Sequence, residues 1–353
     1  MEIPVEEYFE HFYRTEEKKH GRFVGQLEES FQTRLARAHA NRTPAECHFY
    51  HTMDFGSGEI HHGAWDLRGG EREYLGFVDL AGQRVLELGP ATGYLSFYME
   101  AKGADVVCFD LALGMPPDIV PLPGIDVPAS QKAGASFIRL VHNSWWMGHA
   151  RYKSRNKAVY GDIYDLPRDL GRYDVATFGC ILLHLSNPFA ALRQAAEITE
   201  KAIIVTDLLQ RSPVDLDGSC IEFNPGNQLD NPVNWWGLTP GAIVKMLSVL
   251  GFGVVDVFYH VQRHRPRHDV HAQLVDVNLF TVVGQRSAGV VPKHRDADET
   301  VFATAPQVGP PEVDPTIRVA LLEAEIRALR ASTSWRISLP IRIVGDLVKR
   351  IRA

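Results

Sequence analysis

Cysteine is scarce in this sequence. Only four cysteines occur in 353 residues, and no two of them form a Cys-x-x-Cys pair. A framework of disulfides is therefore not expected, and neither is a zinc site built from paired cysteines. The histidines and carboxylates form no recognisable metal triad, so no metal site is predicted. The expected compartment is a reducing one.

Long apolar runs and a large excess of one charge are missing as well. No stretch of about 18 apolar residues occurs, so no transmembrane helix is predicted. Residues 1–10 are acidic and lack the apolar core of a signal peptide, so the expected location is the cytoplasm. The net charge of −6 argues against binding of polyanions by the bulk field.

From residue 83 onward, short apolar runs alternate with helical patterns. The predicted strands are 84–88, 105–109, 157–160, 174–178 and 202–206, followed by 254–261 and 275–283. Runs of this length suit parallel strands that are covered on both faces. The last two strands are joined by a short polar connection, so they are expected to pair antiparallel. The alternation predicts an α/β fold with a doubly wound sheet.

The domain boundaries follow from changes in composition. Residues 1–80 are predicted to form a helical and loop cover, with Phe23, Leu27, Phe31 and Leu35 on one helical face and a loop at 48–70. The catalytic domain is predicted at 81–286 and a proline-rich linker at 287–316. Residues 317–353 are predicted to form a short coiled coil and a basic amphipathic helix.

A glycine loop, ELGPATG at residues 87–93, follows the first predicted strand and opens a helix. Gly89 and Gly93 permit a tight turn and a close backbone approach, and the helix start offers unpaired N–H groups. Asp110 ends the next strand, where a carboxylate can accept hydrogen bonds from both ribose hydroxyls. The pattern indicates a nucleotide-containing ligand.

Three residues favour S-adenosylmethionine (SAM) over a dinucleotide. The carboxylate of Glu87 would repel a pyrophosphate, and Ala91 replaces the middle glycine of the dinucleotide pattern. Asp162 follows the third strand, where it could accept a hydrogen bond from an adenine amino group. A nucleotide-binding α/β domain without methyl transfer is the alternative.

The motifs at 86–93, 109–110, 161–163 and 178–185 resemble those of class I SAM-dependent methyltransferases. The resemblance covers about residues 60–285 and implies a Rossmann-like, doubly wound sheet of seven strands, one of them antiparallel. It implies SAM as the cofactor. The candidate cofactor-binding residues are Trp65, Glu87, Gly89, Ala91, Gly93, Tyr94, Asp110, Asp162, Ile163 and Cys180.

A narrower resemblance rests on residues 63–66 (GAWD) and 181–185 (ILLHL). They are similar to the branch that contains the tRNA wobble-uridine (5-oxyacetic acid) methyltransferase-like proteins. The tRNA enzyme of that branch uses a carboxylated SAM, whose extra carboxylate needs cations. The region before the glycine loop offers Arg68 and Arg72 but no lysine, so ordinary SAM is expected.

His184 is the candidate general base, because it follows the fourth strand at the ligand-binding edge of the sheet. The alternative is a histidine that packs or caps a turn. The candidate substrate-binding residues are His61, His62, Arg151, Trp235 and Trp236. The two tryptophans could form an aromatic wall or staple the following helix. Arg151 belongs to a basic segment, 131–161, interpreted as a phosphate-binding patch or as a solvated helix and loop.

The predicted acceptor rests on the tail. Residues 328–342 resemble a C-terminal segment of bacterial cell-surface polysaccharide enzymes. This resemblance favours O-methylation of a sugar hydroxyl, with a glycan, nucleotide-sugar or lipid-linked saccharide as the acceptor. RNA is the second candidate acceptor, and a non-catalytic SAM-binding subunit is the third interpretation. Residues 317–353 are expected to contact the inner face of the membrane or to mediate oligomerisation.

Overall fold

The computed structural model describes residues 26–112, 114–209, 219–224, 233–266 and 271–286. The predicted linker and tail lie outside these residues, as does Phe23. The helices are α1 (Glu29–His39), α2 (Glu71–Tyr74), α3 (Tyr94–Ala101), α4 (Val127–Tyr152), α5 (Pro188–Ile198) and α6 (Pro240–Val249). The strands are β1 (Met53–Asp54), β2 (Ile60–His61), β3 (Trp65–Asp66), β4 (Arg84–Leu88), β5 (Asp105–Leu111), β6 (Lys157–Gly161), β7 (Tyr173–Gly179), β8 (Thr199–Leu208), β9 (Ile221–Phe223), β10 (Trp236–Leu238), β11 (Val254–His264) and β12 (Val275–Gln285).

The main sheet has eight strands in the order β3-β11-β12-β8-β7-β4-β5-β6. Strands β8, β7, β4, β5 and β6 are parallel. β12 runs antiparallel to both β8 and β11, which confirms the predicted pairing of the two late strands. The predicted α/β fold with its antiparallel strand is confirmed. The short strand β3, which extends the sheet beyond β11, was not predicted.

Each face of the parallel strands is buried under helices, which explains their nearly continuous apolar sequences. One core joins Phe31 and Leu35 of α1 to residues of α3 and α4. The other core contains residues of α5 and α6, including Leu192 and Leu247. The side chain of Thr239 accepts a hydrogen bond from Ala242 N and caps α6, as the sequence predicted. No helix within the described ranges is long and apolar enough to cross a membrane.

Two segments differ from the sequence prediction. The predicted loop at 48–70 contains the short strands β1, β2 and β3, and its Met53 is fully buried. The pattern was missed because two-residue strands are too short for a visible alternation. The basic segment is largely the helix α4, and Trp145 and Trp146 lie in the core. This burial agrees with the interpretation of 131–161 as a helix and loop.

Helix α1 closes the sheet at the edge strand β6 through a glutamine side chain. Gln32 Nε2 donates a hydrogen bond to Ala158 O (2.8 Å), and Gln32 Oε1 accepts one from Ala158 N (3.0 Å). The amide thereby replaces the backbone pair that a neighbouring strand would supply. Gln26 Nε2 donates similarly to Tyr160 O (3.2 Å). These contacts satisfy edge groups that would otherwise be buried without a partner.

We expect Gln32→Ala to lower the free energy of unfolding by about 2–4 kcal/mol, because it leaves both backbone groups of Ala158 unpaired under α1. Gln32→Glu retains the acceptor for Ala158 N but loses the donor to Ala158 O, so its free energy of unfolding should lie between those of the wild type and Gln32→Ala. Denaturant unfolding measures both values. Thr33→Ala, at the exposed neighbouring position on α1, is the control. Equal free energies of unfolding for Gln32→Ala and Thr33→Ala would contradict the proposed stabilisation of the edge strand β6 by Gln32.

Candidate active site

The strand register brings the predicted motifs to one edge of the sheet. Leu88 pairs with Phe109 of β5 and with Phe178 of β7. The residues that follow, among them Gly89 and Asp110, therefore emerge side by side at the carboxyl ends of the parallel strands. Ligands of open α/β sheets bind at this edge. We call it the carboxyl edge.

The glycine loop that follows β4 is a tight turn with three residues at positive φ. Gly89, Ala91 and Gly93 have φ values of 73°, 48° and 80°. A Cβ at Gly93 would lie 2.4 Å from Trp145 Cδ1, so no larger residue fits there. Ala91 carries a side chain in the left-handed region, at a cost of about 1–2 kcal/mol. Strain of this kind is typical of ligand-binding loops.

Thr92 attaches the glycine loop to the N-terminal cover. Its hydroxyl accepts a hydrogen bond from His51 N (3.1 Å) and lies 3.0 Å from His51 Nδ1. Burial lowers the pKa of His51 to about 3, so the ring is neutral at physiological pH. The cover therefore fixes the loop without adding a charge. His51 was not predicted as a site residue, because its role depends on a contact between distant segments.

Asp110 presents its carboxylate at the carboxyl edge beside a histidine of α4. Asp110 Oδ1 accepts a hydrogen bond from Leu111 N (2.8 Å), and Oδ2 lies 3.4 Å from His142 Nε2. His142 is buried, and its ring centroid is 4.6 Å from that of Tyr160. These contacts orient the carboxylate. No motif in the sequence indicated His142.

The residues after β6 form a second polar group at this edge. Asp162 Oδ1 accepts a hydrogen bond from Tyr164 N (2.8 Å), which makes a local turn, and Ile163 is half-buried beside it. The Tyr164 hydroxyl donates to Asp118, whose carboxylate also accepts from Ser186 N (2.7 Å). Asp118 and Tyr164 thereby connect the segments that follow β5, β6 and β7. Neither residue was predicted.

Glu87 lies below the edge, inside the core. The Ser96 hydroxyl of α3 donates a hydrogen bond to Glu87, and Cys108 Sγ is 3.8 Å from the carboxylate. Burial raises the pKa of Glu87 to about 7. The contacts that the structure describes for the Glu87 carboxylate are therefore with Ser96 of α3 and Cys108 of β5.

Tyr94 begins α3 directly after the glycine loop. Its hydroxyl donates a hydrogen bond to Glu71 of α2. Burial raises the pKa of Tyr94 above its usual value, so the phenol stays protonated at neutral pH. The contact ties the start of α3 to the cover.

Cys180 follows β7 at the carboxyl edge in the left-handed conformation, with φ 49°. Its N–H donates to Thr206 O (2.8 Å), and its thiol contacts the phenol of Tyr74. Burial raises the pKa of Cys180, which keeps the thiol protonated.

Trp65 of β3 belongs to the N-terminal cover and is buried. Its ring centroid lies 4.5 Å from that of His264.

His184 lies in the 3-10 turn Leu182–His184, directly after β7. Its Nδ1 is 3.0 Å from the carbonyl oxygen of Val233. A carbonyl only accepts, so Nδ1 donates, and the lone pair of the neutral ring lies on Nε2. This tautomer is the one that a general base at Nε2 requires.

Two tryptophans pack against this turn. Trp235 N donates to Leu183 O (2.8 Å), and Trp236 Nε1 donates to Leu185 O (2.8 Å). The ring of Phe223, on the paired strand β9, lies 5.3 Å from that of Trp236 and is 59% exposed. The three rings form an aromatic group beside His184, defined here as Phe223, Trp235 and Trp236. Phe223 was not predicted.

The remaining predicted substrate residues make their described contacts elsewhere. Arg151 Nη2 forms an ion pair with Glu59 Oε1 (3.1 Å), near the end of α4. His61 stacks on Phe49 at 4.4 Å, and its Nε2 lies 3.4 Å from the same Glu59 carboxylate. His62 is exposed. The structure brings Arg151 and His61 to one another through Glu59, and no described contact joins them to the glycine loop.

Solved structures with similar folds were found by comparison. The Burkholderia thailandensis 1,6-didemethyltoxoflavin-N1-methyltransferase shares 14% identity and has a TM-score of 0.38; 81% of this chain and 92% of that chain are covered. The N-terminal domain of EvdMO1 with SAH and D-fucose shares 18% identity, with a TM-score of 0.40 and coverage of 74% and 98%. The Synechocystis PCC 6803 magnesium protoporphyrin IX methyltransferase shares 16% sequence identity and has a TM-score of 0.37, and the match covers 59% of this chain and 76% of that chain. No curated protein matches the chain significantly.

A family model described as "Methyltransferase domain" matches residues 64–248, more than half of the chain. The match spans the glycine loop, Asp110 and His184, so it covers the carboxyl edge described above. The chain therefore belongs to this family of methyltransferase domains.

Proposed function

We propose that this methyltransferase methylates a sugar hydroxyl of a bacterial cell-surface polysaccharide or of its nucleotide-linked or lipid-linked precursor. The observation that carries the proposal is the aromatic group beside His184. The apolar face of a sugar ring packs on aromatic side chains, while its hydroxyls stay available to polar groups. The resemblance of residues 328–342 to polysaccharide enzymes supports the same class of acceptor.

The residues of the carboxyl edge fit SAM. Packing requires glycine at both ends of the loop, because a Cβ would lie 3.0 Å from Ile181 Cγ1 at Gly89 and 2.4 Å from Trp145 Cδ1 at Gly93. The tight turn that results places the loop before the N–H groups at the start of α3, which can bind the polar part of a ligand. Asp110 would hold the ribose hydroxyls, and Asp162 would accept from the adenine amino group. When bound, SAM supplies an electrophilic methyl group on a sulfonium.

The residues of the chain then have to orient the acceptor and remove its proton. His184 is the proposed general base, because it follows β7 at the carboxyl edge and its contact with Val233 O fixes the tautomer whose lone pair is on Nε2. The aromatic group would hold the sugar ring beside this imidazole. Cys180 and Trp65 remain proposed contacts of the cofactor.

RNA is the second candidate acceptor, and one observation favours it. Helix α4 and the turn after it carry exposed cations, Lys132, Arg139 and Lys153. The ion pair of Arg151 with Glu59 reduces the positive charge of this surface.

We propose that the tail, 317–353, serves as a membrane contact or an oligomerisation arm. These residues lie outside the part of the chain that the structure describes.

Asp110→Ala is expected to weaken SAM binding about 10- to 100-fold, because hydrogen bonds from the ribose to a carboxylate are lost. Isothermal titration calorimetry measures the Kd. The matched control is Asp105→Ala, which removes a carboxylate from the opposite end of the same strand. An unchanged Kd in the Asp110 variant would exclude the proposed ribose contact.

His184→Gln is expected to lower kcat about 10²- to 10⁴-fold, because the acceptor loses its general base. The Kd for SAM should stay within about twofold, since His184 is assigned to the acceptor. Methyl transfer from labelled SAM and calorimetry provide the two values. Full turnover with normal SAM binding would remove His184 from the mechanism.

Surface polysaccharide from a strain that lacks the gene is expected to lose a methyl ether. Mass spectrometry of the hydrolysed polysaccharide measures this loss, and a plasmid with the wild-type gene should restore it. A plasmid with His184→Gln is the matched control and should not. Unchanged polysaccharide together with loss of a tRNA methyl group would select RNA as the acceptor.

A further inference from the structure

A buried carboxyl group that the mechanism above does not use lies at the carboxyl edge. Asp207 is the last but one residue of β8, and its side chain is 2% exposed. Strand β8 neighbours β7, and the hydrogen bond from Cys180 N to Thr206 O (2.8 Å) joins the two strand ends. Asp207 therefore lies next to Cys180, at which the segment that leads to His184 begins.

The hydrogen bonding of Asp207 is incomplete. Its Oδ1 accepts from Leu208 N (2.7 Å), but Oδ2 has no hydrogen-bond partner among the described residues. A buried carboxylate oxygen without a donor is costly, and native structures contain few of them. Glu87, the other buried carboxyl group near this edge, accepts from Ser96. The missing donor thus distinguishes Asp207 from Glu87.

The groups around Asp207 do not neutralise its charge. The Cys180 thiol and the Tyr74 phenol face it, and burial raises the pKa of both, so both are protonated at neutral pH. Tyr50 lies behind Cys180, and burial raises the pKa of Tyr50 to about 12. His260 lies behind Tyr74, with ring centroids 5.9 Å apart, and burial lowers its pKa to about 4. All four groups are neutral at physiological pH.

We propose that Asp207 Oδ2 accepts a hydrogen bond from a second hydroxyl of the acceptor, next to the hydroxyl that is methylated. The acceptor is then a polyol, and Asp207 selects among hydroxyl-bearing ligands, whereas His184 removes the proton. This assignment rests on the proposed sugar acceptor. A role in acceptor binding explains why Asp207 Oδ2 is buried at the carboxyl edge without a hydrogen-bond partner among the described residues.

Kinetics of Asp207→Asn test the assignment. The probe is polysaccharide from the strain that lacks the gene, methylated with SAM that carries a tritium-labelled methyl group. The apparent KM for this polysaccharide is expected to rise about 10- to 100-fold, which corresponds to one hydrogen bond to a charged group. kcat should stay within about threefold, unlike in His184→Gln. The Kd for SAM should not change.

The pH dependence provides a second measurement that needs no variant. Burial raises the pKa of Asp207 to about 7, so the carboxylate forms as the pH rises through this value. The apparent KM of the wild type should therefore fall as the pH rises through about 7. The KM of Asp207→Asn should lack this dependence. If the variant does not fold, a flat wild-type KM would still overturn the proposal.

The matched control is Asp174→Asn, which changes a half-buried carboxylate at the far end of β7 that pairs with Lys201 (2.8 Å). Its KM should equal that of the wild type. A purely structural role of Asp207 would appear as a changed melting temperature of Asp207→Asn with unchanged KM, and this result would overturn the proposal. A separate labelling of a whole-cell extract of the same strain distinguishes the failure of the sugar acceptor from the failure of the Asp207 assignment. Label in the RNA fraction refutes the sugar acceptor, and the KM and pH tests of Asp207 are then made with that RNA.

Discussion

The in-register parallel pairing of β5, β4 and β7 is the constraint on which the site depends. It aligns Leu88 with Phe109 and Phe178, so three strands end at one level. A slip by one residue would turn every buried side chain of a strand to the opposite face. Packing on both faces of β4 opposes such a slip, because Val85 is fitted into one core and Leu86 and Leu88 into the other. Apolar packing thus sets the position of Asp110.

Much of this arrangement could be predicted from local sequence. The five parallel strands are apolar runs, and the glycine loop combines a turn and a helix start within seven residues. The contacts of His142 with Asp110 and of His51 with Thr92 could not be predicted, because each joins segments that only the fold brings together. For the same reason, the contact of Glu87 with Ser96 could not be predicted.

The site combines rigid and strained parts. Ala91 and Cys180 both have positive φ without being glycine, and they flank the place where β4 and β7 end. Buried contacts hold each of them, through the neighbouring Thr92 in one case and through Thr206 in the other. Strain that the surrounding structure supports in this way is common in preorganised sites. The cover is therefore part of the site, since its His51 holds the loop.

The hydrogen bonds of Gln32 with the edge strand β6 have a consequence for solubility. An edge strand offers a row of N–H and C=O groups on which another chain can add a strand, and proteins protect such edges from aggregation. Here the protection of Ala158 comes from α1, a segment remote in sequence. A chain shortened past Gln32 would leave the apolar strand β6 open to strand addition. Self-association would then be the first effect of this shortening, because His51 and its contact with Thr92 of the glycine loop are retained.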